Sequence, residues 1–357
     1  MDAEDERYHR RNPGGTLSYS AVIATKDRAT RLGAVVQTLL DQGRRPDRVV
    51  IVDASAPPQA LPDWLRDRAR RSGVELTIVH SRPSISAQRN LGVELVDTPL
   101  VLFLDDDVTL EPSYAEVLLR RWEHAGLGSF GAMVGSPQAL RPQRRLARLM
   151  RRALMLHYYD FGGEATHLRR SGKLALVPNP RQDVTIPAVG AGGALFRTDL
   201  VRRHAFDERF PGYAPGEDLE MSHRLSREAQ ILQTPAVKFL HAWDPRERDS
   251  ASRWGLRGRC ETYFRLRQVG RSPLDRVAFA VSVAAETILA GLDSLRERDS
   301  AHLRGYVGGA REAVRERRRD DRRAEANAEG SAGSDARGKR LPSVDAPRRS
   351  RFRRLRR

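Results

Sequence analysis

The chain has 357 residues, enough for one large or two modest domains, and its single cysteine, Cys260, excludes an internal disulfide framework and fits a reducing compartment. The net charge is +17, and residues 311–357 hold 17 Arg and Lys against 8 Asp and Glu, so about half of the excess lies at one end. A basic tail of this kind binds nucleic acid, binds an anionic membrane surface or only solvates the chain, and composition leaves all three open.

The first hundred residues alternate between short apolar runs and helical patterns. Residues 1–16 are polar, contain Asn12-Pro13-Gly14-Gly15 and lack an apolar signal region, so they predict a disordered leader. Strands are then predicted at 17–25, 48–52, 75–79 and 101–104, and helices up to residue 40, at 64–71 and at 86–95. This alternation is typical of βαβ units, and we therefore expect a parallel sheet.

The fourth predicted strand ends on three carboxylates, Asp105, Asp106 and Asp107. Three like charges cannot lie together in a core without partners, because desolvating even one unpaired carboxylate costs several kcal/mol. Hard divalent cations take oxygen ligands, and ligands of open α/β sheets bind outside the carboxyl ends of the strands. The triplet therefore indicates a cation site, with a solvated turn as the alternative.

The rest of the chain is less regular. A helix is predicted at 112–124, a strand at 131–135, and a basic amphipathic helix at 144–158 whose apolar stripe either packs on the core or lies in a membrane interface. Further elements are predicted as a Gly-rich strand at 190–196, a helix at 219–229, a strand at 231–239 and helices at 254–269, 274–295 and 301–315. Residues 316–357 have too few apolar side chains to fold. The apolar run at 277–292 is too short to span a membrane and carries Glu286.

Several polar residues follow these strands, and each has a structural reading. Asp27 and Asp53 come after the first and second strands and could be helix N-caps. Gln88-Arg89-Asn90 could be an exposed helix start, and Glu217-Asp218 could cap the next helix. His241 alone would be a satisfied structural histidine. Their order along the chain is what favours a functional reading.

That ordered series resembles glycosyltransferase family 2, the inverting sugar transferases of the GT-A fold, over about residues 17–243. The matching runs are 22–28, 51–55, 87–92, 103–107, 192–197, 206–210 and 216–220. An isolated Asp-x-Asp is a weak signal, whereas the whole series in this order is specific.

The resemblance implies an α/β protein with a Rossmann-like, mostly parallel sheet flanked by helices. The predicted organisation is a leader at 1–16, a GT-A domain at 17–250 with a nucleotide-binding half (17–110) and an acceptor half (111–250), a helical extension at 251–315 and a disordered basic tail at 316–357. Only the GT-A domain comes from the resemblance.

The resemblance also implies roles for individual residues. A nucleoside-diphosphate sugar would be held by Thr25, Asp27, Arg28, Asp53 (on the base), Arg89, Asn90, Asp105 and Asp106. Asp107, Asp105 and His241 would ligate Mg²⁺ or Mn²⁺. Asp218 would be the general base that deprotonates the acceptor hydroxyl, with Glu217 beside it positioning the acceptor. These residue types suit the reaction, because a leaving diphosphate needs positive charge and the attacking hydroxyl needs a base within hydrogen-bond reach.

The expected acceptor is a glycan, a lipid-linked glycan or another glycoconjugate, as in cell-envelope polysaccharide synthesis. We expect a cytoplasmic enzyme, peripheral on the inner face of an anionic membrane, and no nucleic-acid partner. The second strand ends in Asp53-Ala54-Ser55-Ala56, where the family often has two acids and Gly-Ser, so the nucleotide base stays open. Residues 131–189 match no acceptor pattern.

Two other functions fit parts of the sequence. Asp105-Asp106-Asp107-Val108-Thr109 also satisfies the DxDxT of haloacid-dehalogenase-type phosphatases, with Asp105 as nucleophile and Asp107 as acid/base. That motif normally closes the first strand, whereas here three βα units precede it. A non-catalytic membrane or nucleic-acid binding protein would use the basic tail, but it leaves the acidic triplet unexplained, since carboxylates repel phosphate unless a metal intervenes.

Overall fold

A computed structural model describes residues 16–138, 163–209, 212–242, 251–268, 270 and 272–337. The predicted leader up to residue 15 and the basic helix predicted at 144–158 lie outside the described residues.

The first half of the sheet consists of four parallel strands joined by three helices. In chain order these are β1 (Tyr19–Thr25), α1 (Ala29–Leu40), β2 (Arg48–Asp53), α2 (Asp63–Arg71), β3 (Glu75–His80), α3 (Ile85–Glu94) and β4 (Leu100–Asp105). The strands lie in the order β3, β2, β1, β4 and all run in the same direction. The predicted βαβ units are therefore present, with small shifts at their ends.

Both faces of this half-sheet are buried, as the continuous apolar run of β4 requires. Leu100, Leu102 and Leu104 contribute to one hydrophobic core, and Val101 and Phe103 to the core on the opposite face. Alternate side chains of a strand point to opposite faces, so a strand covered on both sides has to be apolar throughout. Full burial of each large apolar side chain stabilises the fold by about 1.5–3 kcal/mol.

The second half extends the sheet with strands of both directions. In chain order it contains β5 (Val108–Leu110), α4 (Tyr114–Ala125), β6 (Ala132–Pro137), the hairpin strands β7 (His167–Leu168) and β8 (Leu174–Ala175), β9 (Val184–Ile186), β10 (Ala194–Arg197), α5 (Thr198–His204), α6 (Glu217–Leu225) and β11 (Ile231–His241). Strands β10, β6, β11 and β5 follow β4 across the sheet, and β9 pairs with β11. Within the described residues, six of the nine strands of this sheet run one way, and β5, β9 and β10 run the other way.

Some elements differ from the sequence prediction. The strand predicted from residue 190 begins only at Ala194, because the preceding glycines form a loop in which Gly193 has a φ of +103°. Strand β5 was not predicted, since three residues are too few to show a period of two. The predicted helix at 219–229 begins two residues earlier, at Glu217, and ends at Leu225.

Three helices follow β11: α7 (Ala251–Gln268), α8 (Pro273–Glu297) and α9 (Ala301–Arg337). The start of α8 is well defined by sequence, because Ser272 accepts a hydrogen bond from the Asp275 N–H at 3.2 Å and Pro273 occupies the first turn.

A buried ionic cluster connects α7 and α8 to the turn between β7 and β8. Glu286 of α8 bonds the ammonium of Lys173, the guanidinium of Arg265 at 3.3 Å and the hydroxyl of Tyr306. Burial alone would raise the pKa of Glu286, but Lys173 and Arg265 outweigh it and lower that pKa to about 2. Glu286 is therefore a fixed carboxylate inside the protein.

Helix α8 is the one helix in the described residues whose length and composition would allow it to cross a membrane. It has 25 residues, and 33% of its most apolar window is buried within the protein. The expectation that this segment is too short was wrong, because the helix extends beyond the apolar run 277–292 at both ends.

The chain divides into two compact units, residues 1–314 and 315–357. The tail predicted to be unfolded from residue 316 is helical as far as Arg337. Its Ala, Arg and Glu residues have high helix propensity, and Arg317 pairs with Asp321 one turn later at 2.9 Å, so local preference compensates for the lack of apolar side chains. Residues 338–357 lie outside the described part of the chain.

Candidate active site

The carboxyl ends of three neighbouring strands meet at one edge of the sheet. Strand pairing places Thr25, the last residue of β1, beside Asp53 of β2. On its other side β1 pairs with β4, where Ala24 lies beside Asp105. The parallel register therefore collects the polar residues that follow separate apolar runs in the sequence, as expected for ligand sites of open α/β sheets.

The middle residue of the acidic triplet, Asp106, is bonded to the loop after β1. The Thr25 hydroxyl donates to Asp106 Oδ2 at 2.9 Å, and Arg28 Nη1 donates to Asp106 Oδ1 at 2.6 Å. Burial raises the pKa of Asp106, and Arg28 and Thr25 oppose this by stabilising the carboxylate. Arg28 also lies 3.7 Å from Asp107, so its one positive charge is shared between two of the three acids.

His241 reaches Asp107 because β5 turns the chain back along β11. In that antiparallel pair His241 lies beside Val108, and the Ala242 N–H donates to the Asp107 carbonyl at 2.9 Å. The imidazole Nε2 is consequently 2.9 Å from Asp107 Oδ1. Two residues more than a hundred positions apart are thus brought together by a strand of three residues.

Asp105, Asp107 and His241 form a group that could hold a metal ion. One donor atom from each of the three residues lies within 4.8 Å of the other two. The donor set fits a divalent cation, since carboxylate oxygens suit Mg²⁺ and Mn²⁺ and neutral imidazole is a common metal ligand. The side chains of Asp105 and His241 are 30% and 33% exposed and that of Asp107 is 8% exposed, so an ion has access from solvent past the first two.

Arg89 bridges Asp105 and Glu217. Its Nη2 lies 2.8 Å from Asp105 Oδ1, and its Nη1 bonds Glu217 Oε1, while the side chain of Arg89 is 3% exposed. Burial alone would lower the pKa of Arg89, but Glu217 and Asp105 outweigh it and keep the guanidinium charged. The guanidinium also lies over the ring of Phe206, 5.4 Å from its centroid.

Asn90 holds the segment that carries Phe206. Its Nδ2 donates to the Phe206 carbonyl at 3.0 Å, and its Oδ1 accepts from the Phe206 N–H at 2.9 Å. The same Nδ2 lies 2.8 Å from Glu208 Oε1. In the structure Asn90 therefore supports the residue that packs on Arg89, rather than the acidic triplet.

Glu217 and Asp218 begin α6, just after Gly216, which has a φ of +90°. Asp218 accepts hydrogen bonds from the Ala191 N–H at 3.0 Å and from the Leu219 N–H at 2.8 Å. Burial raises the pKa of Glu217 to about 8, with a further contribution from the Asp218 charge and an opposing one from Arg89. Burial also raises the pKa of Asp218, although Arg89 and the Ala191 N–H oppose it. Such elevated carboxyl pKa values are typical of functional sites.

The loop before β10 lies against both Asp105 and Asp218. A Cβ atom at Gly192 would be 2.5 Å from Asp105 Oδ2, and a Cβ at Gly190 would be 3.3 Å from Asp218 Oδ2. The glycine-rich run therefore allows the backbone to approach two carboxylates closely. The sequence indicated a close approach at this loop, but not which groups approach it.

Asp53 and Asp27 lie differently from the triplet. The Asp53 carboxylate accepts from the N–H of Ser55 at 3.0 Å, the Ser55 hydroxyl at 2.5 Å and the N–H of Gln59 at 2.7 Å. Burial would raise the pKa of Asp53, but these hydrogen bonds outweigh it and hold that pKa below its ordinary value. The exposed Asp27 carboxylate lies 3.1 Å from Lys26 Nζ. The backbone N–H of Asp27 donates to the Ser55 hydroxyl at 2.7 Å. The Asp53 carboxylate is therefore held by the loop after β2, and the Asp27 carboxylate lies beside Lys26.

Three residues that the sequence did not single out by role also build the site. Gln88 donates to the carbonyls of Thr25 at 2.9 Å and Val52 at 2.7 Å, which fixes the ends of β1 and β2. Tyr114 joins the glycine loop to β6, because its hydroxyl donates to the Gly193 carbonyl and accepts from the Gly135 N–H. Phe206 is the third, and its only sequence signal is its place in the matching run 206–210.

The fold and the carboxylate-rich sheet edge define a glycosyltransferase of the GT-A type. The chain belongs to Glycosyl transferase family 2, whose model matches residues 20–203, just over half of the sequence. The predicted family and fold class are confirmed. Family membership also overturns the phosphatase alternative, consistent with Asp105 closing the fourth strand rather than the first.

One solved structure shows the same fold at low sequence identity, and two others have lower scores. A crystal structure of S. aureus TarS 1–349 in complex with UDP-GlcNAc has a TM-score of 0.52 and 11% identity, covering 84% of this chain and 81% of that chain. A second structure of TarS 1–349 gives 0.48 and 12%, over 78% and 74%. GalNAc-T7 with UDP, GalNAc and Mn²⁺ gives 0.49 and 13%, over 70% of this chain and 50% of that chain. No curated protein matches the chain significantly.

Proposed function

We propose that this protein transfers a sugar from a nucleoside-diphosphate sugar to an acceptor hydroxyl, with inversion at the anomeric carbon. The main support for this proposal is that the loop at 190–192 contacts two of the acids. Asp105, one of the three residues that could hold a metal ion, packs on Gly192, and the half-buried Asp218 accepts a hydrogen bond from the Ala191 N–H. A donor held at the triplet would therefore have a carboxylate base nearby.

Asp218 is the residue we assign as the general base. The acceptor oxygen attacks the anomeric carbon while the bond from that carbon to the β-phosphate oxygen breaks. The acceptor proton passes to Asp218, and the nucleoside diphosphate leaves with the bonding electrons. One carboxylate suffices for such a single displacement, and Glu217, held by Arg89, is assigned to position the acceptor.

A divalent cation is the cofactor we propose, held by Asp107, Asp105 and His241. When bound, it supplies positive charge to the two phosphates of the donor and to the leaving group. Arg28, which already lies beside Asp106 and Asp107, is suited to contact the same phosphates.

The nucleoside is proposed to contact the loop that follows β2. Asp53 is engaged by Ser55 and Gln59, so a nucleobase would either replace one of those hydrogen bonds or meet the loop that they hold. The backbone of Asp27 is joined to this loop through Ser55, which supports a common nucleoside site for the two segments. Similarity to a fold that holds UDP-GlcNAc in TarS makes a UDP-sugar the first donor to test.

For the acceptor we propose a glycan or lipid-linked glycan bound by the half of the domain that follows residue 110. We also propose a cytoplasmic protein attached peripherally to an anionic membrane. The net charge of +17 and its concentration near the C-terminus support this placement.

A thermal-shift panel of nucleotide sugars with Mn²⁺ tests the donor assignment, because a ligand that binds the native state raises the unfolding midpoint. We expect one nucleotide sugar to raise the midpoint with Mn²⁺ and to lose the effect with a chelator. The Asp107→Asn variant should lose it as well. A panel in which every nucleotide sugar leaves the midpoint unchanged, or in which the chelator has no effect, would contradict the proposal.

A further inference from the structure

Helix α8 has its apolar side chains on the outside. Six of the nine large apolar side chains that are exposed in the described part of the chain lie on this helix. They are Leu274, Val277, Val281, Ile288, Leu292 and Leu295, and the last of these is 77% exposed.

These six side chains form one continuous stripe. At about 100° per residue they fall within an arc of about 60°, and at 1.5 Å per residue the stripe is about 30 Å long. Ala284 lies in the gap between Val281 and Ile288 and is also exposed. A stripe of this length is well beyond the scattered apolar side chains of an ordinary protein surface.

The opposite face of α8 fixes the direction in which the stripe points. It buries Ser282, Glu286 and Ser294 together with alanines. Ser294 accepts a hydrogen bond from the Leu303 N–H at 3.0 Å, and Glu286 bonds Lys173. Rolling the helix to bury the stripe would expose these partners and break a buried ion pair, which is strongly unfavourable. The apolar face is therefore held outward by polar contacts on the inner face.

We infer that the α8 stripe is a docking surface for an anionic phospholipid bilayer, with the helix lying in the interface. The ends of the stripe carry the exposed arginines Arg276, Arg296 and Arg298, which suit anionic headgroups. Four acids lie nearby: Asp275, which pairs with Arg170 at 3.4 Å, Glu297, which lies 3.4 Å from His302, and Asp293 and Asp299. The local charges therefore nearly cancel, and the attraction to an anionic surface comes from the net charge of +17 of the whole chain.

A second copy of the chain is a less favourable occupant. Each copy carries a net charge of +17, so pairing two of them brings together like charges, whereas an anionic surface has the opposite sign. A spanning arrangement is also unfavourable, because Glu286 in the middle of α8 is bonded to Lys173 and Arg265 and would carry that cluster to the centre of the bilayer. An interfacial position buries the stripe and leaves the ionic cluster inside the protein.

Sedimentation with vesicles of phosphatidylcholine, with and without phosphatidylglycerol, tests this docking surface on the full chain. We expect binding to the anionic vesicles and a loss of at least about tenfold in the variant that combines Ile288→Gln and Leu292→Gln, because two exposed apolar side chains are removed. The control is Trp64→Gln, which removes a 52% exposed apolar side chain from α2, and it should bind like the unchanged protein. In an Ile288→Trp variant, the fluorescence emission of the introduced tryptophan should shift to shorter wavelength when anionic vesicles are added.

Membrane docking by α8 is independent of sugar transfer, so donor binding in the thermal-shift assay should persist both in the α8 variant and in Trp64→Gln. Unchanged vesicle binding in the α8 variant, with loss on deletion of residues 316–357, would assign binding to the tail and overturn the inference. A change from dimer to monomer in the α8 variant, without altered vesicle binding, would make a second copy the occupant. If the α8 variant had a lower unfolding midpoint than the unchanged protein in the absence of lipid, another part of the chain would cover the stripe, and the inference would be overturned.

Discussion

Arg89 connects the end of β4 to the start of α6 through two separate bonds. Its Nη2 lies 2.8 Å from Asp105 Oδ1, and its Nη1 bonds Glu217 Oε1, although the two carboxylates are more than a hundred positions apart in the chain. A planar guanidinium holds its N–H donors in fixed directions, whereas the three donors of an ammonium rotate on a flexible stem. The relative position of the proposed metal ligands and the proposed acceptor site therefore depends on one buried cation.

Replacing this cation by a shorter one should destabilise the protein. We expect Arg89→Lys to lower the free energy of unfolding by about 3 kcal/mol, because at least one buried carboxylate loses its partner. Arg82→Lys is the matched control, since Arg82 and Glu208 form an exposed ion pair whose loss should cost less than about 1 kcal/mol. Urea unfolding of both variants measures the difference, and equal stability losses would show that Arg89 has no special structural role.

Much of this arrangement follows from local sequence pattern. The apolar runs that form β1, β2 and β4 each end at a polar residue, and parallel strands place those ends together. Thr25 and Asp106, which the sequence separates by about eighty residues, are accordingly hydrogen bonded. The fold class and the position of the acidic edge were therefore predictable from hydrophobic patterning and motif order.

The partners of the acids were not predictable in the same way. That His241 meets Asp107 depends on β5, which is too short to be seen in a pattern. That Arg89 reaches Glu217 depends on where α6 begins, and neither residue carries a local signal of the other. The outward apolar face of α8 was missed because the sequence shows that the helix has an apolar stripe but not that Glu286 holds the opposite face inside.

Removing a proposed metal ligand should weaken metal binding, and this can be measured without turnover. We expect Asp107→Asn and His241→Gln each to weaken Mn²⁺ binding by more than about tenfold, since even outer-shell changes cost 10–100-fold. Asp27→Asn is the control, because its exposed carboxylate pairs with Lys26 and lies outside the cluster. Titration of Mn²⁺ followed by electron paramagnetic resonance gives the affinities directly. Unchanged binding in both ligand variants would refute the assignment.

At low pH, the rate of transfer should depend on the protonation of Asp218. A general base acts only when deprotonated, and burial raises the pKa of Asp218, so kcat/KM should fall as the pH drops through a value above the ordinary Asp pKa of about 3.9. Asp218→Asn should reduce transfer by at least about a hundredfold. Donor affinity, measured by calorimetry on the same variant, serves as the internal control and should persist. Loss of donor binding instead would assign Asp218 to the donor site.

Glu286 should make the stability of the protein depend on pH in the acid range. Its pKa is lowered from 4.5 to about 2 in the folded protein, so its contribution is complete above pH 4.5 and is lost as the pH falls towards 2. The loss should be on the order of 3 kcal/mol. Glu286→Gln should flatten the stability profile in this window, whereas Glu75→Gln, which alters a largely exposed carboxyl, should not. Urea unfolding at several pH values gives the slopes, and identical slopes in the two variants would contradict the buried ionic cluster.

We expect an alanine at position 192 to disturb the site, whereas an alanine at position 33 should be tolerated. A Cβ atom at Gly192 would lie 2.5 Å from Asp105 Oδ2, and Arg89 holds that carboxylate in place, so the loop or the carboxylate has to move. We expect Gly192→Ala to weaken Mn²⁺ and donor binding by about tenfold or more, as other displacements around a metal ligand do.

At Gly33 in α1 an added Cβ meets nothing within 4 Å, and alanine there should raise the free energy of unfolding by about 0.5–1 kcal/mol, because glycine weakens a helix interior. The pair of variants separates a general effect of added methyl groups from a specific one at Asp105. If Gly192→Ala bound Mn²⁺ and donor as tightly as Gly33→Ala, then Asp105 would not need its present position. The metal assignment would then rest on Asp107 and His241.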